Sequence, residues 1–288
     1  MRDLIKLLRP HQWTKNLFIF MPLFFSLKLF EPNLFIRVFL AFFFFCLLSG
    51  AVYIYNDYHD IEDDRKHPKK RNRPLASGRV SLRTAFALMG SLIVVSMAAF
   101  FLFGITPFLL SLFYLFINWL YTIKLKHIAI VDIFTVGIGY AIRIFIGGSV
   151  AKITIYPWIV VMTFLLSLFL SLGKRKEDLA LLKNTGQKTR QSLDGYTVEF
   201  IDLSMIIMAS VTIVAYIIYT LSDEIMLKFN TQHLYLTSGF VLFGLLRYLQ
   251  ITVVEQKPSD PSEILLKDIF TQIAVLGWIA SIAFLIYL

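Results

Sequence analysis

Cysteine is all but missing from this chain: Cys46 is the only one in 288 residues, and it lies inside an apolar run. Neither a disulfide framework nor a cysteine metal site can form within one molecule. Charged residues are scarce as well, at 16% against the roughly 25% of soluble domains. His11, His59, His67, His127 and His233 show no metal-ligand spacing. The amphipathic opening MRDLIKLLRPHQWTKN lacks a small-residue cleavage site, so no removable signal peptide is expected. What fills the chain instead is apolar: 57% hydrophobic residues, with 28 Phe. Repeated apolar runs long enough to cross a bilayer exclude an ordinary soluble domain and imply an all-α, polytopic membrane helical bundle. A net charge of +9 could suggest nucleic acid, but in a membrane protein its distribution matters more than its sum, and no nucleic-acid partner is expected.

The hydrophobic pattern predicts nine spans, near 16–31, 33–56, 84–104, 106–122, 128–151, 154–172, 199–221, 232–254 and 268–288, in one membrane domain covering 1–288. The first and fourth are short; Pro22 marks a kink and Pro107 a span start. Of the 28 Lys and Arg, 22 fall in the N-terminus and in the loops after spans two, four, six and eight. The opposite loops and span ends carry Lys28, Arg37, Lys152 and Lys228. By the positive-inside rule the N-terminus is cytoplasmic, and the polar loops near 57–83, 122–128 and 173–198 share that side.

The densest polar stretch is NDYHDIEDDRKHPKKRNRPLASG, residues 56–78, where a membrane helix meets water. On a continuous helix Asp57, Asp60 and Asp64 share one face. Carboxylates that close repel one another, and a bound cation is the natural way to hold them together. Mg²⁺ fits, because it prefers oxygen ligands, keeps waters and is shared between one or two carboxylates and a substrate's phosphates. Sequence does not separate it from Mn²⁺. Lys69, Arg71 and Arg73 behind the acids suit the rest of a phosphorylated ligand. Basic runs also serve as topology determinants or anionic-lipid contacts, and that reading suits Lys66, Lys69, Lys70 and Arg79 equally well.

Span six ends in a second mixture of acid and base, with Lys174, Arg175, Glu177 and Asp178 where the membrane run stops. Ahead of span one, Arg9, Trp13, Lys15 and Asn16 lie at the same interface. The loop after span four adds Lys124 and Lys126, with Asp132 slightly deeper. Asp132 and Arg143, about three turns apart in span five, share a face without touching and should point inward.

The pattern NDxxDxxxD at Asn56, Asp57, Asp60 and Asp64, followed by NRPLASG at 72–78, resembles the UbiA superfamily of intramembrane transferases. Within it, RPHQWTKN (9–16), DRKHPKKRNRP (64–74), GKRKEDL (173–179), FGLLRY (243–248) and DPSEILLKD (260–268) are most similar to the decaprenyl-phosphate phosphoribosyltransferases. The resemblance implies a UbiA-like bundle of nine helices in a prokaryotic cell membrane. It also implies Mg²⁺-dependent transfer of phosphoribose from 5-phosphoribosyl 1-diphosphate to a polyprenyl phosphate. Asp57, Asp60 and Asp64 would hold the ion, and Asp178 would hold or orient a second one. Lys15, Asn56, Lys69, Arg71, Arg73, Lys124, Lys126, Lys174, Arg175 and Glu177 would surround the substrates. Relatives typically show KRxxEL where this chain has Lys174-Arg175-Lys176-Glu177-Asp178-Leu179, so Glu177 and Asp178 are alternatives for the acidic slot. The oligomeric state stays open, a homo-oligomer included.

Two other functions compete. A prenyltransferase moving a polyprenyl group from its diphosphate to an aromatic acceptor would use similar carboxylate–Mg²⁺ chemistry, though the dense cationic run favours a donor with an additional phosphate. A transporter using Asp132 and Arg143 would be expected to show repeated halves, and none is clear. A pure scaffold gives no reason for the acidic cluster.

Overall fold

The computed structural model describes residues 2–66, 70–186, 191–256 and 261–287. Its regular elements in that range are helical: α1 (Arg2–Leu7), a 3₁₀ stretch Pro10–Phe20, α2 (Met21–Phe25), α3 (Pro32–His59), α4 (Ile61–Lys66), α5 (Leu82–Phe103), α6 (Ile105–Ile123) and α7 (Val131–Ala151) come first. Then follow α8 (Pro157–Thr185), α9 (Val198–Leu221), α10 (Asp223–Phe229), α11 (Ser238–Leu249), α12 (Pro261–Lys267) and α13 (Ile269–Tyr287). Among the described residues, eight segments are long and apolar enough to cross a membrane: α3, α5, α6, α7, most of α8, α9, Leu234–Val254 around α11, and α13. The chain is therefore a multi-pass integral membrane protein.

The first of the nine expected spans, 16–31, does not form one long helix. Pro10 and Pro22 each remove a backbone donor, Arg9 sits in the left-handed region at φ 49°, and Pro10–Phe20 winds as 3₁₀. The stretch nevertheless runs alongside α3. Arg9 meets Asp57 near one end of that helix, Asn16 Nδ2 donates to Ser49 Oγ at 3.2 Å, and the Phe20 ring lies 5.6 Å from Phe42. Eleven residues at 3₁₀ rise cover roughly 22 Å, about the rise of α3 between Phe42 and Asp57. Close approach to α7 depends on Gly147, where a Cβ would overlap the Ile19 carbonyl oxygen.

The chain divides into two compact units, Met1–Ile155 with Thr189–Ser192, and Tyr156–Lys188 with Leu193–Leu288. In the first, Ile19, Leu23, Phe45, Phe100, Tyr114 and Ile146 form one buried cluster, and α7 and α3 are the most enclosed spans. A second cluster docks the loop after α4: Leu75 and Val80 pack with Leu7, Ala51 and Ile54. Ser81 then caps α5, its Oγ accepting from Thr84 N at 3.2 Å.

In the second unit α8 continues well past the expected span end at 172. Residues 173–185, expected as loop, are helix because Lys, Arg, Glu, Leu and Ala are strong helix formers, and nothing interrupts them before Gly186 at φ 68°. Lys176 Nζ reaches Asp202 on α9 at 2.5 Å. Trp278 Nε1 donates to Tyr216 OH at 2.8 Å, tying α13 to α9. Arg247 of α11 grips Asp268, which caps α13 by accepting from Thr271 N at 2.8 Å.

Candidate active site

The acidic stretch does not stay on one helix. α3 ends at His59, Asp60 turns the chain at φ −98° and ψ 7°, and α4 starts afresh at Ile61. The break leaves Asp60 with Lys126 and lets Asp57 and Asp64 meet at one Arg73 nitrogen. Asp57 and Asp64 are 2% and 3% exposed, while Asp60 is half-buried and binds Lys126 Nζ through Oδ1 at 2.5 Å. Among the described residues no three acidic, His or Cys side chains converge as a metal-binding group. The expected triad is thus a pair plus one carboxylate held by lysine.

Asp57 lies in the last turn of α3, where the helix dipole disfavours an anion, so it needs cations nearby. It has two. Asp57 Oδ1 accepts from Arg9 Nη2 and from Arg73 Nη1, the latter at 3.1 Å. The same Arg73 Nη1 donates to Asp64 Oδ2 at 2.6 Å. Arg73 is placed by the NRPLASG segment, whose Pro74, Leu75 and Ala76 are buried against the first unit. Burial pushes the Asp64 carboxyl up from its ordinary value, opposed by Arg73 and Lys70 and reinforced by Asp57. Because both carboxylates meet one guanidinium nitrogen, the two oxygens lie within about 6 Å, and oxygen ligands of this kind are chemically compatible with Mg²⁺, which commonly uses one or two carboxylates plus phosphates.

The other expected residues scatter. Asn56 Oδ1 accepts from the Thr122 hydroxyl at the end of α6. Arg71 and Lys124 are exposed, and Lys15 is half-buried on the 3₁₀ stretch. Lys69 lies outside the described residues. In the second unit Arg175 Nη1 donates to Asp178 Oδ2 at 2.7 Å along α8, with Lys174 and Glu177 half-buried beside them. Asp132 and Arg143 do not touch: Asp132 Oδ2 accepts from Ser192 Oγ at 3.3 Å, and Arg143 Nε donates to Asn16 Oδ1 at 2.8 Å. Two residues of the cluster lay outside the sequence-derived site. Arg9 had a signal, a cation ahead of proline at the same interface. Thr122 had none.

Among the described residues, eight segments long and apolar enough to cross a membrane accompany a buried arginine–carboxylate cluster at the end of α3. The UbiA prenyltransferase family profile matches residues 17–270, and the chain belongs to that family; it is a UbiA-family transferase. The decaprenyl-phosphate phosphoribosyltransferase of Mycolicibacterium smegmatis is 33% identical over 294 residues, covering 99% of this chain and 92% of its own. That of Mycobacterium tuberculosis is 30% identical over 282 residues, covering 96% and 92%. Among solved structures, a UbiA homolog from Archaeoglobus fulgidus bound to GPP and Mg²⁺ superposes with a TM-score of 0.70 at 19% identity, covering 99% of this chain and 100% of that one. That likeness shows the fold.

Proposed function

We propose that this transferase moves phosphoribose from 5-phosphoribosyl 1-diphosphate to a polyprenyl phosphate and releases diphosphate. Near-full-length similarity to two phosphoribosyltransferases is the observation that carries the reading. The buried cluster supports it, because Asp57 and Asp64 suit a divalent ion while Arg9 and Arg73 suit diphosphate oxygens. Mg²⁺, when bound, neutralises charge on the leaving diphosphate. Asp60 would join the ion only after leaving Lys126, and Asp178, with Glu177 as its alternative, would hold or orient a second ion.

In the reaction the bond from the anomeric carbon to diphosphate breaks, the leaving group keeping both electrons, and a lipid phosphate oxygen bonds to the same carbon from the opposite face. That oxygen is already anionic, so no general base is required. The residues act by positioning and by matching charge that builds on the diphosphate. Cations for the donor's second phosphate would come from Lys15, Lys69, Arg71, Lys124 and Lys126; Lys174 and Arg175 are candidate phosphate ligands within the second unit. The site faces the cytoplasm of a prokaryotic cell, given the basic-loop asymmetry. The expected span 16–31 is proposed as the ninth crossing, because Pro10–Phe20 runs alongside α3 over the roughly 22 Å between Asp57 and Phe42.

The family name supplies the second reading, prenyl transfer from a polyprenyl diphosphate to an aromatic acceptor. Incubating the purified protein with each donor and its acceptor, then analysing the extracted lipid by mass spectrometry, separates the two. Polyprenyl-phosphoryl phosphoribose is the expected product. Consumption of prenyl diphosphate with an aromatic acceptor, and none of phosphoribosyl diphosphate, would overturn the choice.

A further inference from the structure

Asp57 and Asp64 are already matched, charge for charge, by Arg9 and Arg73. Lys70 adds positive field at Asp64. The two carboxylates are almost fully enclosed, so a divalent cation arriving alone would leave unbalanced positive charge in a buried cluster, which low-dielectric surroundings penalise. Either an anion accompanies the cation or an arginine leaves. Arg73 is the anchored member, bridging both acids from a loop docked by Leu75 and Val80. Arg9 is the candidate to exchange. Both arginines are half-buried, but Arg73 meets two carboxylates and Arg9 only Asp57, its guanidinium otherwise lying over the Tyr53 ring at 5.0 Å.

We propose that Arg9 is an exchangeable counter-ion that occupies Asp57 until a divalent cation and a diphosphate arrive together, and then transfers its charge to the diphosphate. This rests on the phosphoribosyl-diphosphate reading of the site and adds an order to it: the donor loads as its metal complex, and free cation is kept out. No covalent bond changes in the exchange. One guanidinium leaves a carboxylate oxygen, and the carboxylate takes a metal ligand position while the guanidinium takes a phosphate oxygen.

The test uses the purified full chain in detergent, with Mn²⁺ as the spectroscopic probe and inorganic diphosphate as the anion. Wild-type protein should bind Mn²⁺ weakly alone and at least about tenfold more tightly with diphosphate. Arg9→Gln should bind Mn²⁺ alone about tenfold more tightly than wild type and lose most of the gain from diphosphate, while Arg9→Lys should stay near wild type. Arg9→Gln binding Mn²⁺ alone no more tightly than wild type would overturn the exchange. If that variant does not fold, the wild-type titration still decides, because an Mn²⁺ affinity indifferent to diphosphate contradicts the proposal. Asp57→Asn separates the two levels. Unchanged Mn²⁺ binding there removes the metal site itself, whereas lost binding with no effect of Arg9→Gln removes the exchange alone.

Discussion

Arg143 carries a full positive charge into the interior of the first unit on neutral partners: Asn16 Oδ1 at 2.8 Å, the Gly139 carbonyl at 2.7 Å, and the rings of Phe45, Tyr114 and Tyr140. A planar, weakly hydrated guanidinium suits such a cage, and an ammonium does not. Arg143→Lys should therefore lower stability by about 2 kcal/mol or more, whereas Arg143→Met, which removes the buried charge, should stay within about 1–2 kcal/mol of wild type. Thermal unfolding in detergent measures both, and equal tolerance of Lys and Arg would contradict the cage. At this scale the sequence was informative about which residues are polar and inward but not about their partners. Asp132 and Arg143 were placed on one span and held apart, as found. The meetings of Arg143 with Asn16 and of Asp57 with Arg9 join distant positions, and single-chain periodicity carries no such information.

Among the elements, the join between α11 and α13 explains why two sequence motifs lie together. FGLLRY supplies Arg247 and DPSEILLKD supplies Asp268, and the pair is bidentate, with Arg247 Nη1 also donating to Glu255 Oε1 at 2.6 Å. The guanidinium and the Thr271 donors hold the Asp268 carboxyl well below the usual carboxylate range. A depressed carboxylate stabilises the fold above its unfolded value and loses that contribution as pH falls through the folded one. Asp268→Asn should thus lower the unfolding temperature at neutral pH, by the equivalent of about 1–3 kcal/mol. The gap to wild type should narrow once pH falls below about 4. A gap that widens on acidification would contradict the pairing. Most spans were legible from long apolar runs. The first was not, because proline spacing and contacts with α3 and α7 select 3₁₀ winding there. The end of α8 was also missed: charged residues read as loop, yet their helix propensity carries the helix on to Gly186.

For the whole molecule, the strongest sequence signal was sidedness, with 22 of 28 basic residues assigned to one face. Loop charge governs how a chain inserts, so sidedness is an expectation drawn from sequence that the fold itself does not test. The acid-rich motif stood out as a cluster of ionic side chains, but its geometry was not readable. The turn at Asp60 and the hold of Lys126 leave a pair of buried carboxylates bridged by Arg73 where three in a row were expected. The account stands or falls on that pair. Its most direct test is phosphoribosyl transfer by Asp57→Asn and Asp64→Asn, each first shown to unfold at a temperature close to wild type. A loss of at least about 10²–10³ in kcat/KM at saturating Mg²⁺ is expected for each. Transfer within about threefold of wild type in either variant would contradict it.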